Sequence, residues 1–241
     1  MRPVLDHPWN LRVPEAREVQ EKLAPRVVFR PFRKRRYLVA GTDVSFDDER
    51  GLAVAGVVVV SVPSHETVAE AWAEQRLTFP YVPGFLSFRE IPALLSAFEK
   101  VESQVDCIMA DGQGIAHPRR FGLASHLGMV LGVPTLGCAK SRLIGEHGEP
   151  GFKKGSTAPL LIGEETVGAV VRTRDGVSPV YVSAGHKIDL EGAVRVTIEC
   201  AVTRIPEPTR RAHTLVTGVK RGSARALPAE ANRRSPTRPR A

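Results

Sequence analysis

Three strand-like runs near the start of the chain constrain its fold more than any other feature. They cover residues 37–46, 52–62 and 68–77, and β-branched or other apolar residues recur through each of them. A short polar segment that ends in Gly51 joins the first two runs, as in a hairpin turn. Because strands joined by short turns pair as antiparallel neighbours, the sequence predicts a three-stranded antiparallel meander.

Helix-like and strand-like segments alternate after this meander. Ser87 and Glu90 have the spacing of a capping box, and apolar residues follow them at helical period, so a helix is predicted there. The apolar run 105–110 predicts a strand that is buried on both faces, and Pro118 predicts the start of a helix that extends to about residue 131. Further strands are predicted at residues 133–136, 160–162, 167–172 and 180–183. Further helices are predicted at residues 14–24, 190–202 and 208–216. This order predicts an α/β fold with a mixed central sheet and helices on both faces.

The net charge of +8 over 241 residues is unevenly distributed. Residues 217–241 hold seven basic side chains and one acidic side chain, a net charge of +6, and they lack apolar periodicity. We therefore predict a single folded domain over residues 1–216 and a basic, disordered tail over residues 217–241. Since the rest of the chain is close to neutral, its basicity alone is weak evidence for nucleic-acid binding.

The sequence also predicts a cytoplasmic protein. Cys107, Cys138 and Cys200 lie far apart and form no CxxC pair, which indicates neither a disulfide framework nor a thiolate zinc site. No signal-peptide core precedes residue 17, and the most apolar run, residues 52–62, is about half as long as a membrane-spanning helix.

Two aspartates lie where a ligand site of an α/β sheet is expected. Asp43 lies within the first predicted strand, and Asp111 directly follows the buried run 105–110. Either carboxylate alone would be explained by backbone hydrogen bonds, but two on neighbouring strands indicate a divalent-cation site with oxygen ligands, suited to Mg²⁺. Two interpretations of Glu90 remain open: it caps its helix, or it points toward the sheet.

The segment 111–120 combines glycines, a predicted helix N-terminus and two arginines, which is typical of an anion site. The signal is weak, because the glycine spacing matches neither a dinucleotide fingerprint nor a P-loop. Taken singly, His117, Lys140 and His213 have ordinary structural explanations. Tyr81, between two prolines, is equally well explained as a loop aromatic packed on the core.

Six segments together resemble the endonuclease V family, the deoxyinosine 3′ endonucleases. They are GTDVSF at 41–46, PYVPG at 80–84 with FRE at 88–90, DGQG at 111–114 with HPR at 117–119, GCAK at 137–140, GHKI at 185–188, and PEPTR at 206–210 with His213. The resemblance covers nearly the whole predicted domain. It implies a ribonuclease-H-like fold and an enzyme that hydrolyses DNA one nucleotide 3′ of deaminated adenine.

The resemblance implies a role for each catalytic candidate. Asp43, Asp111 and Glu90 would bind Mg²⁺, for which Mn²⁺ would substitute. His213 would act as a further ligand or position a second ion, and Lys140 would lie beside the scissile phosphate.

The resemblance also implies a set of DNA contacts. Tyr81 would act as a wedge that enters the base stack where the inosine has been extruded. Phosphates would be held by His117, Arg119 and Arg120. The wedge and the pocket for the base would be built from Pro80, Val82, Pro83, Gly84, Leu86, Gly112 and Leu143.

Other functions remain open at this point. The chain could be an inosine-specific ribonuclease, or another ribonuclease-H-like nuclease such as a junction resolvase, which would not require the Pro-Tyr-Val-Pro-Gly segment. A nucleic-acid-binding protein without catalysis is a third hypothesis, although buried carboxylates argue against it. The expected partner is deoxyinosine-containing DNA or inosine-containing RNA, with no membrane, and the expected state is a monomer.

Overall fold

A computed structural model describes residues 1–222 of the chain. Its elements in chain order are α1 (Val13–Leu23), a 3₁₀ turn (Ala24–Arg26), β1 (Tyr37–Asp47), β2 (Leu52–Val62), β3 (Thr67–Arg76), α2 (Leu86–Phe98), β4 (Cys107–Ala110), α3 (Leu123–Leu131), β5 (Thr135–Ala139), β6 (Thr157–Ile162), β7 (Glu165–Val171), β8 (Val180–His186), α4 (Leu190–Glu199) and α5 (Glu207–Lys220). None of these helices is long and apolar enough to span a bilayer.

The strands form one mixed sheet of eight strands in the order β3-β2-β1-β4-β5-β8-β7-β6. The first three strands pair antiparallel, which confirms the predicted meander. β1, β4 and β5 form the parallel centre, and the remaining neighbours pair antiparallel. The centre of the sheet is therefore the place where the carboxyl ends of three parallel strands meet.

Helices cover both faces of the sheet, as predicted. On one face, α2 and α3 enclose an apolar core that includes Val57 and Val59 of β2. On the other face, α4 packs on β7 and β8, and α5 packs on β1 and β2, where Val58 and Val60 contact Ala212. Consecutive residues of β2 thus enter two different cores, because the strand is buried on both faces.

The predicted capping box at the start of α2 is wrong. Ser87 lies inside the helix, and its hydroxyl is 3.0 Å from Nδ1 of His126 on α3 instead of capping the helix backbone. Phe85 occupies the N-cap position and makes no side-chain cap. Burial of Ser87 against α3 overrides the local capping preference. Glu90 is therefore not needed as a capping residue and can point toward the sheet.

The predicted helix start at Pro118 is also wrong, because α3 begins at Leu123. Residues 112–122 instead fold into a tight loop in which the Gly122 N–H donates to the carbonyl of Gly114 (2.9 Å), and Arg120 adopts a left-handed backbone (φ 54°). The helix N-terminus is therefore displaced from the two arginines that were predicted to share an anion site with it.

Several other boundaries also differ from the prediction. β5 covers Thr135–Ala139 instead of 133–136, and α4 ends at Glu199 instead of 202. α5 continues to Lys220, beyond the predicted domain boundary at residue 216. Residues 223–241 of the predicted tail lie outside the described residues.

Helix α5 approaches β1 closely at Gly41. A Cβ atom at this glycine would overlap the backbone of Pro208 and Thr209 at the start of the helix. The absence of a side chain at residue 41 therefore sets how near α5 can lie to the sheet, and with it the position of every residue that the helix carries.

We predict that Gly41→Ala lowers the free energy of unfolding by about 3 kcal/mol, the upper part of the range for overpacked cores, because the overlapping atoms belong to backbone. Denaturant unfolding measures the change. Gly148→Ala is the matched control, since a Cβ atom there meets nothing within 4 Å, and we expect a change within about 0.5 kcal/mol. Equal stability of the two variants would contradict the proposed close packing.

Candidate active site

Asp43, within β1, and Asp111, directly after β4, lie side by side where the parallel pairing of the two strands ends. Thr42 of β1 pairs with Ala110 of β4, and each aspartate is the next residue in its chain. Both side chains are partly buried. Burial and the neighbouring charge of Asp111 raise the pKa of Asp43 to about 6, although a hydrogen bond from His213 opposes the shift. The two carboxylates predicted from separate sequence segments therefore share one site.

Glu90 brings a third carboxylate to the same site from helix α2. The residue is buried, and burial raises its pKa well above the usual value, with further contributions from the charges of Asp43 and Asp111. The burial of Glu90 on α2 and the effect of both aspartates on its pKa indicate that it lies on the side of the helix toward the two aspartates. Of the two interpretations of Glu90, the structure supports the one in which it points toward the sheet.

Two side chains pair with carboxylates of this acidic cluster. Lys140, which follows β5, forms an ion pair with Oδ2 of Asp111. His213 on α5 places Nδ1 3.0 Å from Oδ2 of Asp43. Burial lowers the pKa of Lys140, but the hydrogen bond and charge of Asp111 outweigh it and the net shift is upward. The lysine therefore remains a cation at neutral pH.

The donor chemistry of the cluster fits a divalent cation. Asp43, Glu90 and Asp111 supply hard oxygen donors, the type that Mg²⁺ and Mn²⁺ prefer. Their mutual repulsion is a cost that a bound cation would relieve. Within residues 1–222, no group of three or more Asp, Glu, His or Cys side chains is already arranged as a metal-binding site. The fit therefore rests on the chemistry and proximity of the carboxylates.

A cavity of about 360 Å³ opens directly beside the acidic cluster. Asp111 and Lys140 form one wall, and the segment 80–84, here called the wedge loop, contributes another. Of the residues predicted to build the wedge and the base pocket, Gly84, Leu86, Gly112 and Leu143 line this cavity. The volume lies within the range of small-molecule sites, so the cavity can accept a single planar base.

The side chain of Tyr81 projects from the wedge loop into solvent. It is 72% exposed and borders the cavity, so it is not a loop aromatic packed on the core. Val82 and Pro83 also line the cavity, whereas Pro80 is exposed at the start of the loop. An exposed ring of this kind is available to stack on a ligand.

The predicted phosphate contacts lie near the cavity but already have partners within the protein. Arg120 forms an ion pair with Glu165 (2.6 Å). Arg119 donates from Nη2 to the carbonyl of Gly84 (2.6 Å), and Nε2 of His117 donates to the same carbonyl (3.0 Å). Their predicted role in holding phosphates stays a prediction.

Sequence reasoning missed Gln20 and Arg89. Gln20 lies on α1, which reads as a surface helix, but it is only 1% exposed and lines the cavity. Arg89 is buried beside Glu90, forms an ion pair with Asp48, and donates to the carbonyl of Phe79. The one local signal for Gln20 is that a polar residue lies on the apolar side of α1. This signal does not identify Gly84 and Arg119 as its hydrogen-bond partners.

Comparison with known proteins places this site in a family. The family model for Endonuclease V matches residues 21–214. Endonuclease V of Trichormus variabilis is 50% identical over 211 residues, which cover 87% of this chain and 96% of that protein.

Two solved structures share the fold. Endonuclease V of Streptomyces avermitilis superposes with a TM-score of 0.84 at 45% identity, covering 90% of this chain and 96% of that one. Endonuclease V of Ciona intestinalis, bound to a 24mer DNA containing an inosine followed by a ribo-adenosine, superposes with a TM-score of 0.78 at 30% identity, covering 88% and 99%. The predicted ribonuclease-H-like fold is confirmed, and the chain belongs to the Endonuclease V family.

Proposed function

We propose that this protein is a metal-dependent DNA repair endonuclease that recognises deoxyinosine and hydrolyses a phosphodiester bond one nucleotide 3′ of it. One observation carries the proposal: Asp111 of the carboxylate cluster and Lys140 form a wall of a cavity that the wedge loop also borders. The residues that would bind the base and the residues that would cleave the DNA backbone therefore border one cavity, which is large enough for a nucleotide base.

The carboxylates would hold the cation. Asp43, Asp111 and Glu90 are the candidate ligands, with His213 beside Asp43 as a further ligand or a positioner of a second ion. When bound, Mg²⁺ or Mn²⁺ supplies Lewis-acid activation of water and neutralises charge in the phosphoryl-transfer transition state. Buried carboxylates that repel one another have no use in a binding protein without catalysis, which argues against that alternative.

Lys140 would act on the scissile phosphate. Its ammonium group is held at Asp111 and stays charged at neutral pH, so it can donate to a non-bridging oxygen as negative charge builds up. Positioning and charge stabilisation of this kind supply most of the rate in phosphoryl transfer.

The cavity would bind the extruded hypoxanthine. Gly84 and Gly112 let the backbone approach a base edge closely, and a tight pocket can reject guanine, which differs by its exocyclic amino group. Tyr81 would fill the gap left in the stack and offset an unstacking cost of a few kcal/mol. A junction resolvase has no need for a base cavity with an adjacent exposed aromatic ring.

Inosine-containing RNA is a second candidate substrate. The Ciona intestinalis relative was solved with a ribo-adenosine after the inosine, so a ribonucleotide is accommodated on the 3′ side in that protein. Matched inosine duplexes of DNA and RNA, incubated with Mg²⁺ or with EDTA, distinguish the two substrates in this protein.

The proposed enzyme acts in the cytoplasm, as expected from the sequence. A monomer would suffice, because one chain supplies the carboxylates, Lys140 and the wedge loop. The basic residues 217–241 would add phosphate contacts that weaken as salt rises.

We predict that Asp111→Asn lowers nicking of an inosine duplex by several orders of magnitude while duplex binding persists, since the carboxylate would hold the cation. End-labelled duplexes in Mg²⁺ measure the rate, and Asp175→Asn, on an exposed turn, is the matched control. A rate within about tenfold of wild type, worth only ~1.4 kcal/mol, would show that the metal assignment is wrong.

We predict that Asp43→Asn stabilises the metal-free protein at pH 8 by about 1–3 kcal/mol. The folded pKa of Asp43, about 6, lies above its ordinary value of 3.8, so its ionised form costs stability above pH 6. The difference between variant and wild type should therefore close as pH falls from 6 to 4.

Denaturant unfolding in EDTA measures this difference. In Mg²⁺ the wild type should gain stability that Asp43→Asn does not, because the cation binds only the folded ligand set. A variant that is less stable than wild type at pH 8 in EDTA would contradict the proposed charge repulsion.

We predict that Tyr81→Phe cleaves at nearly the wild-type rate, whereas Tyr81→Ala loses stacking worth ~1–3 kcal/mol. The loss should be larger on duplex than on single-stranded DNA, where extrusion costs less. Cleavage rates on both substrates and the melting temperature test this. Equal losses on both, with a lower melting temperature, would mean that the ring acts only in stability.

A further inference from the structure

The carbonyl oxygen of Gly84, at the end of the wedge loop, accepts hydrogen bonds from three side chains. Arg119 Nη2 lies at 2.6 Å, His117 Nε2 at 3.0 Å and Gln20 Nε2 at 3.1 Å. The donors come from α1 and from the loop before α3, which are distant in the sequence. Three donors on one carbonyl exceed what its two lone pairs require, so this peptide is held with unusual redundancy.

The three donors also hold one another. Arg119 Nε donates to Oε1 of Gln20 (2.5 Å), and the Arg119 guanidinium lies 4.3 Å from the centre of the Phe85 ring. His117 accepts from the backbone N–H of Arg119 at Nδ1 (3.2 Å), which leaves Nε2 as the protonated nitrogen that donates to Gly84. The Arg119 guanidinium thus donates both to the wedge loop, at Gly84, and to Gln20, which contacts the same carbonyl.

The chemical state of His117 suits this arrangement. The residue is buried, and burial with the nearby charge of Arg119 lowers the pKa of its imidazole to about 4. It is therefore neutral at physiological pH. A neutral imidazole with its proton on Nε2 is a good donor to a carbonyl and a poor partner for a phosphate.

The wedge loop is fixed at both ends. Arg89 Nη1 donates to the carbonyl of Phe79 (3.3 Å) just before the loop, and the N–H of Phe85 donates to the carbonyl of Val82 (3.0 Å) across its turn. Gly84 has a φ of 80°, where a side chain would be strained, and a Cβ atom there would lie 2.9 Å from Arg119 Nη2. Tyr81 lies between these fixed points and is free of the core.

We propose that Gln20, His117 and Arg119 are positioning residues that hold the wedge loop, through the Gly84 carbonyl, in the conformation that inserts Tyr81 into a duplex. This inference rests on the proposed function and replaces the phosphate contacts that the resemblance implies for His117 and Arg119. Because the loop is ordered before binding, its entropy is not lost when Tyr81 enters the stack. The clamp should therefore favour inosine in duplexes over inosine in single strands.

Arg119→Lys is the decisive variant, because it keeps the charge but cannot donate to Gln20 and Gly84 as a fork. Cleavage of an inosine duplex should fall about three- to tenfold, the effect of one lost hydrogen bond, while single-strand cleavage changes less than twofold. Gln20→Met removes both polar groups of the side chain at similar volume. It should lower the ratio of duplex cleavage to single-strand cleavage, as Arg119→Lys does. Arg17→Lys, an exposed position on α1, is the matched control.

A double-mutant cycle with Tyr81→Ala tests the mechanism. If the clamp acts through the ring, Arg119→Lys should have less than a twofold effect on duplex cleavage in the Tyr81→Ala background. If the two losses multiply instead, Arg119 acts independently of the wedge and the proposal is overturned. It is also overturned if lysine retains full activity while Arg119→Ala loses both substrates equally, since that is the behaviour of a phosphate contact.

Amide hydrogen exchange separates this proposal from the proposed function, because it requires no activity. Exchange of the Phe85 amide and its neighbours should be faster in Arg119→Lys than in wild type or Arg17→Lys. Unchanged exchange overturns the clamp even if the protein cleaves inosine DNA. Faster exchange in a protein whose wild type does not nick inosine DNA would retain the clamp and reject the proposed function.

Discussion

The repulsion among three carboxylates is the constraint on which the rest of the site depends. Asp43, Glu90 and Asp111 are brought together by two strands and one helix, and burial makes their charges costly. A fold tolerates such a cluster only where nearby cations or a bound metal offset it. Lys140 supplies part of that charge, and His213 forms a hydrogen bond with Asp43. The repulsion that is left explains why a divalent cation fits.

Close backbone approach is the second constraint. The absence of a side chain at Gly41 lets α5 lie against β1, and this contact brings His213 to Asp43. At the other end of the site, Gly84 turns the wedge loop so that its carbonyl meets three donors. Both positions therefore require glycine, but for different reasons. A side chain at residue 41 would overlap the backbone of α5, and a side chain at residue 84 would be strained by the left-handed backbone.

The catalytic candidates and the wedge residue differ in how rigidly they are held. Asp43, Asp111 and Lys140 lie in or directly after the central strands, whose hydrogen bonds hold them in register. Tyr81, by contrast, stands on a loop that is fixed at its ends and exposed in the middle. A ring that enters a base stack has to lie outside the core. Because the ends of its loop are fixed before binding, less conformational entropy is lost when the ring is inserted.

The sequence by itself determined the antiparallel meander, the order of the later helices and strands, and the identity of Asp43 and Asp111 as candidates. Its resemblance to the family added Lys140 and Tyr81. Periodicity and short motifs are local properties, so they can be read without knowing the fold. Only the tertiary structure decided that Glu90 faces the sheet instead of capping α2, that α3 begins at Leu123, and that Arg119 and Gln20 meet at Gly84. Each of these depends on contacts between segments far apart in the chain, where packing outweighs the local preferences that a sequence pattern records.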